Sequence, residues 1–318
     1  MNSKLPEVMP RTPRPAWQRA VGLVLALAAL AYLARLVLAD FKSFAGALRG
    51  QTPVSLAVAI LAAMLMFAVK ALYHGVLCQR LSKRKDLLAD VIPAYAMAQV
   101  VRYLPGKIWG VVYQSNRLSM QLHPSVVVAA NTSQTLVTNL LGAGIIVSVL
   151  GAAYTGSFWP LAGIPAFVAI TEIVHRYPRM EAWLLQVASR ILRRRTDLPQ
   201  IPPQRISGTL MLLLEWVAYY FMWAAILGEG LPSFPTVTVA TWYAAASLIA
   251  IFAVAVPAGI AVREALFVSL AAMTMSSSGE LLGYAALMRA VLTAAEVMLI
   301  PIAQLAGKLI GRFREQAA

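Results

Sequence analysis

Cysteine occurs once in this 318-residue sequence, at Cys78, and histidine three times. A single thiol excludes a disulfide framework and a cysteine metal cluster. His74, His123 and His175 lack ligand spacing, and neither an H-E-x-x-H helix nor a Walker-type glycine loop occurs, so no metal or other cofactor is expected. Charge is scarce as well. Charged residues make up 13% of the chain and hydrophobic ones 60%, against roughly 25% and 45–50% in soluble domains. The apolar runs are long, unalternated and rich in Ala, Leu and Val, which excludes the alternating strands of an outer-membrane barrel. The class is an all-α polytopic membrane protein.

Acidic residues are also outnumbered, 13 against 27 basic, for a formal charge of +14. The basic residues gather in short segments between hydrophobic runs, so they report membrane topology and do not form a nucleic-acid surface. The N-terminal tail carries four, the Arg80 to Lys85 loop four, the Arg176 to Arg205 segment seven and the C-terminal tail three. All four segments, and with them both termini, are expected on the cytoplasmic side of the cell (inner) membrane. The connections Gly151 to Phe158, Gly228 to Ser233 and Ser276 to Glu280 hold no Lys or Arg and are expected outside. The first apolar run, Val21 to Leu38, resembles a signal-peptide core, but Arg35 falls where small residues would precede cleavage; it reads as a retained span.

The remaining runs are Val54 to Leu77, Asp90 to Asn116, Pro124 to Leu150, Trp159 to Ile173, Ile206 to Leu227, Phe234 to Met275 and Leu281 to Leu305, with a hydrophilic loop at 175–205. If every run crossed once, the Arg176 to Arg205 segment would lie opposite the Arg80 to Lys85 loop. The charge pattern is restored when two runs turn back. The 90–116 run breaks at Pro105-Gly106 and returns to the cytoplasm, and the 234–275 run breaks at Pro257-Ala258-Gly259 and returns outside. A pair of full crossings is the alternative for the second. The expected architecture is one integral domain of about six spans plus two re-entrant helical hairpins entering from opposite faces, with Lys42 and Arg49 the exception outside.

The elbows "YLPGKIWG" and "AVPAGIAV" share an apolar residue before Pro, small or basic positions after it, and Ile. That is what an inverted repeat leaves behind, and broken helices at corresponding places point to a transporter site. Proline opens the local helix and glycine admits a ligand to the backbone, so Pro105, Gly106, Pro257 and Gly259 are candidate binding elements. The half-helix resuming after each break turns partly positive amides toward the same space. Arg102 and Lys107 flank the first elbow, Arg263 and Glu264 follow the second, and Arg289 lies within the last span. A central cation costs about 2.5–3.5 kcal/mol even on the lenient insertion scale, so each needs a partner or a purpose. Structural ion pairing is the plainer account of any single one. Glu215, Glu264 and Glu296 are the acids available as partners or as sites of ion coupling. Arg289 and Glu296 share a helix face with Thr293 between them, but lie about 10 Å apart along the axis.

On the Pro124 to Leu150 span, Asn131, Gln134, Thr135, Thr138, Asn139 and Gly142 form one polar stripe, read either as interhelical hydrogen bonding or as a cavity wall. Lys70 and His74, one turn apart on the second span, read as snorkelling to headgroups, or as contributing to the site at its cytoplasmic end. Trp216, Tyr219, Tyr220 and Trp223 read as packing and interface anchors, or as a wall guiding an acyl or prenyl chain.

"RYLPGKIWG", "PAGIAVREALFVSLA" and the terminal "AALMRAVLTAAEVMLIPIAQLAG" resemble the membrane domain of lysylphosphatidylglycerol synthases/flippases and related stand-alone membrane proteins. The resemblance spans about Val54 to Gly307. It implies movement of phospholipid or polyprenyl-phosphate-linked lipid between leaflets, with Arg102, Pro105, Gly106 and Lys107 in the first signature and Pro257, Gly259, Arg263 and Glu264 in the second. Ala258 and Ala261 stand where the family commonly carries glycine, and neutral Asn131 and Gln134 where it often carries an acidic-basic pair. The aminoacyl-transferring domain has no counterpart in these residues, so lysyl transfer is not expected. The expected function is transport of an anionic lipid, not catalysis. Arg102, Lys107, Arg263, Arg289, Asn131 and Gln134 would hold the headgroup, and Glu264 would position a cation or take up a proton. The alternatives are a lipid-modifying transferase, or a scaffold for a glycosyltransferase docked on Arg176 to Arg205; a homo-oligomer is a further partner class.

Overall fold

The computed structural model describes residues 41–102, 108–191, 208–250, 262–271 and 278–317. The described residues are all helical or loop, without strand. In chain order the helices are α1 (Phe41–Arg49), α2 (Pro53–Ser82), α3 (Leu88–Val101), α4 (Trp109–Arg117), α5 (Pro124–Thr155) and α6 (Gly163–Arg176). They continue as α7 (Pro178–Ile191), α8 (Gly208–Ile226), α9 (Phe234–Ala250), α10 (Val262–Ala271) and α11 (Ser278–Ala317). Four of them, α2, α5, α8 and α11, are long and apolar enough to cross a membrane. The protein is an all-α, multi-pass membrane protein. A 3₁₀ turn, Trp159–Ala162, runs into α6, and together they extend about 29 Å, close to a hydrocarbon thickness. The run Val21 to Leu38 lies outside the described residues.

The long helices start and stop where local chemistry requires. Thr52 and Ser55 close a reciprocal capping box ahead of α2, and Pro53 occupies its first turn. α5 begins with His123 capping and Pro124 next, and ends on Gly156 at φ 63°, a left-handed conformation that costs glycine nothing.

Side-chain contacts sort the loops onto two faces. Arg84, just beyond α2, donates to the Gln121 carbonyl beyond α4 at 3.0 Å. The chain between them therefore leaves and returns to one face. α3 and α4, 14 and 9 residues long, reach only about 21 and 14 Å, and α4 folds back so closely that a Cβ on Gly110 would meet the Ala98 carbonyl at 3.0 Å. This is the first re-entrant hairpin. His175 bonds Thr209 at 2.9 Å, Arg80 pairs with Glu181, and Gly307 of α11 lies against Ala89, all on that same basic face. Gln51 bonding the Ile226 carbonyl at 2.9 Å and Phe158 meeting Phe234 at 5.6 Å mark the opposite face. α9 starts there, and α10 packs back on it through Tyr243 and Phe267, 5.3 Å apart. The second hairpin thus enters opposite to the first.

Two expectations change. The Lys42 to Arg49 connection is mostly helix α1, packed along α11. The first half of the expected 175–205 loop is helix α7. Glu181 on α7 is buried, held by Arg80 of α2 and Ser133 of α5.

Two glycines set the α5–α6 contact. A Cβ on Gly144 would lie 2.1 Å from the Phe167 ring, and one on Gly163 would lie 2.6 Å from the Ser148 hydroxyl. Gly144→Val should lower stability by about 1–3 kcal/mol, the range for overpacking, with a lower melting midpoint in detergent. Phe167→Ala in the same chain should recover part of it. Topology has its own test: cysteines placed at Lys85 and Gln121 should react with an impermeant thiol reagent from one side of a sealed vesicle, and one at Gly230 from the other.

Candidate functional site

Between the hairpins lies a cavity of about 740 Å³, walled by α2, α3, α4, α5, α8, α9, α10 and α11. The whole α5 stripe faces it: Asn131, Gln134, Thr135, Thr138, Asn139 and Gly142. Arg102, which caps the C-terminal end of α3, and Arg263, in the first turn of α10, enter the wall from the two hairpins. Each thus arrives from an element that approaches from a different face.

Every cation on this wall has a defined setting. Arg102 pairs with Glu296 of α11, whose carboxylate is buried. Lys70 pairs with Glu215 at 2.9 Å. Arg263 lies over the Tyr243 ring at 4.9 Å, a distance at which the ring quadrupole attracts it. Charge buried at membrane depth persists only with such compensation. Lys70 and His74 are corrections to the snorkelling expectation. Lys70 turns inward onto the cavity, and fully buried His74 bonds Gln134 at 2.9 Å. The reason is geometric: α2 packs on α8 along much of its length, which places that face of α2 against protein.

Of the expected binding residues, Arg102, Arg263, Asn131, Gln134 and Glu215 are brought together on the wall. Gln134 has its amide committed: its Oε1 accepts from His74 Nδ1, and its Nε2 donates to the Lys70 carbonyl and to the Tyr95 hydroxyl at 3.1 Å each. Its place is to join α2, α3 and α5 behind the wall, so both readings of the stripe hold at once. Asn131 donates to Gln114 at 3.2 Å. Arg289 is buried within α11 and is not part of the wall, whereas Glu296 on the same helix stands behind Arg102. Pro105, Gly106, Lys107, Pro257 and Gly259 lie outside the described residues. Glu264 follows Arg263 in α10, and its side chain is not among those described.

Sequence reasoning did not single out Gln99, Gln114, Tyr95 or Ser247, which also line the cavity. Gln99 and Tyr95 lie one turn apart in an apolar helix, and that pair of polar positions was the signal available. Trp216 and Tyr219 form part of the wall, while Trp223 is fully buried in packing with Tyr243 and Phe267. The approach of Trp216 depends on Gly142, where an added Cβ would meet the indole at 3.2 Å.

The Lys70–Glu215 pair makes a direct energetic test. Lys70→Met leaves Glu215 buried without its counter-charge and should cost about 3–5 kcal/mol, whereas Lys70→Met with Glu215→Leu should cost far less. Thermal midpoints of the two purified variants check the order. No protein-family model matches this sequence, and no curated protein matches it.

Proposed function

We propose that the protein carries an anionic lipid, a phospholipid or a polyprenyl-phosphate-linked lipid, between membrane leaflets, with the headgroup in the cavity and the tails left in the bilayer. The observation that carries this reading is the meeting of Arg102 and Arg263, one from each oppositely directed hairpin, on one cavity wall. Sites of this kind, at broken helices between two halves, are where rocking of one half against the other exchanges access. The resemblance of the two elbows to lysylphosphatidylglycerol synthase/flippase membrane domains supports the same function. The basic face is assigned to the cytoplasm by its Lys and Arg content.

The mechanism follows from the ion pairs. A phosphate reaching Arg102 offers the guanidinium a second anion and loosens its hold on Glu296. The guanidinium, 44% exposed at the cavity, is open to a charge-assisted bond with the phosphate while Glu296 stays buried behind it. The Glu296 carboxylate keeps Arg102 compensated before the headgroup arrives and after it leaves, so the headgroup is not trapped. Glu215, whose Oε2 accepts no hydrogen bond among the described residues, is the carboxylate best placed to take up a proton or cation when phosphate competes for Lys70.

Purified protein in liposomes should accelerate leaflet exchange of a fluorescent anionic phospholipid, and Arg263→Glu should reduce the accelerated component at least tenfold while the protein still elutes as a folded species. If the unaltered protein accelerates none of a panel spanning phosphatidylglycerol, phosphatidic acid, phosphatidylinositol and a polyprenyl phosphate, the transport reading is wrong.

A further inference from the structure

The cavity is much larger, and much less charged, than a phosphate requires. Its volume is about 740 Å³, within the range of pockets that enclose a whole small molecule, and a bare phosphate fills only a small part of it. Three cations line it, yet neutral hydrogen-bonding side chains outnumber them. Two of those are uncommitted. The Gln99 carbonyl oxygen and the Thr138 hydroxyl make no hydrogen bond among the described residues although both atoms are buried, and Gln99 is 7% exposed as a residue. Asn139, next to Thr138, also faces the cavity.

Amides and hydroxyls of this type both donate and accept, which suits alcohol hydroxyls better than it suits a phosphate, which only accepts when ionised. They also stand beside an apolar plane. Trp216 lies across Gly142, one turn beyond Thr138 and Asn139 on α5, so an aromatic face and the uncommitted polar groups border the same stretch of wall. A ring that is apolar on its face and hydroxylated at its edge matches both at once.

We propose that the headgroup held here is a phosphate ester of a polyhydroxylated ring, a sugar or cyclic polyol. The phosphate lies toward Arg102 and Arg263, and the hydroxyls lie toward Gln99, Thr138 and Asn139 against Trp216. This rests on the transport reading for its site and adds the class of substrate. The discrimination follows from the unpaired groups: a site built to bond hydroxyls rejects a ligand that lacks them, because its own buried polar atoms then stay unmatched.

The test compares matched ligands on the detergent-purified full chain by titration calorimetry: dioctanoyl phosphatidylinositol against dioctanoyl phosphatidic acid, and geranyl phosphoglucose against geranyl phosphate. The bare phosphate monoesters carry up to about twice the charge near neutral pH, so electrostatics alone favours them. The proposal requires the opposite, at least tenfold tighter binding of the ring-bearing member in one or both pairs. The combined Gln99→Ala and Asn139→Ala changes should shrink that ratio at least tenfold, whereas Arg263→Gln should weaken both members together. A free-headgroup arm, inositol 1-phosphate against inorganic phosphate, should show the same preference at lower affinity if the ring is what is read. Equal binding, or a preference for the bare phosphates, in both pairs overturns the proposal. Selective binding without any leaflet exchange would remove the transport reading and leave the ligand class intact; exchange without selectivity would do the reverse.

Discussion

A cation carried to membrane depth by an apolar helix has to be compensated by the protein, because the bilayer supplies neither water nor counterion. That requirement organises this molecule. Arg102 can stand at the tip of the first hairpin because α11 brings a buried Glu296 to it, across 194 positions of sequence. Lys70 can face inward because α8 brings Glu215. Arg80 draws Glu181 of α7 against the bundle near the basic face, with Ser133 of α5 on the other carboxylate oxygen. Each pair joins helices far apart in the chain, so the charges that would be costly singly become the cross-links that orient the bundle. Buried pairs of this kind are weak evidence for stability; what they show here is which helices face one another.

Backbone geometry works with the charges. Hairpins expose helix ends, and such irregular backbone is tolerated in a membrane only where it faces protein or a wet cavity. Here the ends turn toward one cavity. The helices approach closely because small residues allow it: Gly110 brings α4 onto α3, Gly144 and Gly163 bring α5 and α6 together, and Gly142 lets an indole cross α5. The polar stripe of α5 then has a divided task. Gln134 is used up in joining α2, α3 and α5, while Asn139 and Thr138 remain directed at the space that a headgroup would occupy. The cavity is consequently bounded by committed groups at one part of its wall and by unpaired ones at another.

Much of this was legible in the one-dimensional pattern. Long unalternated apolar runs dictate helices, since only a helix satisfies its backbone within one segment. The uneven placement of Lys and Arg dictates which loops share a face, and contacts such as Arg84 with Gln121 bear that sorting out. The helical spacing of Asn131, Thr135, Thr138 and Asn139 marked the wall, because polar side chains are costly there unless they serve a particular surface. Partner choice was not legible. The sequence places Glu296 too far along the axis from Arg289 for an easy pair but does not reveal that Arg102, from another helix, pairs with it. Lys70 finds an acid on another helix, and α7 falls within the segment whose hydrophilic composition reads as a loop. Local sequence determines which groups need compensation and how often a face recurs. Which face meets which, and so which acid finds which base and which amides are left free toward the cavity, is decided only when packing sets the rotation of each helix against the others.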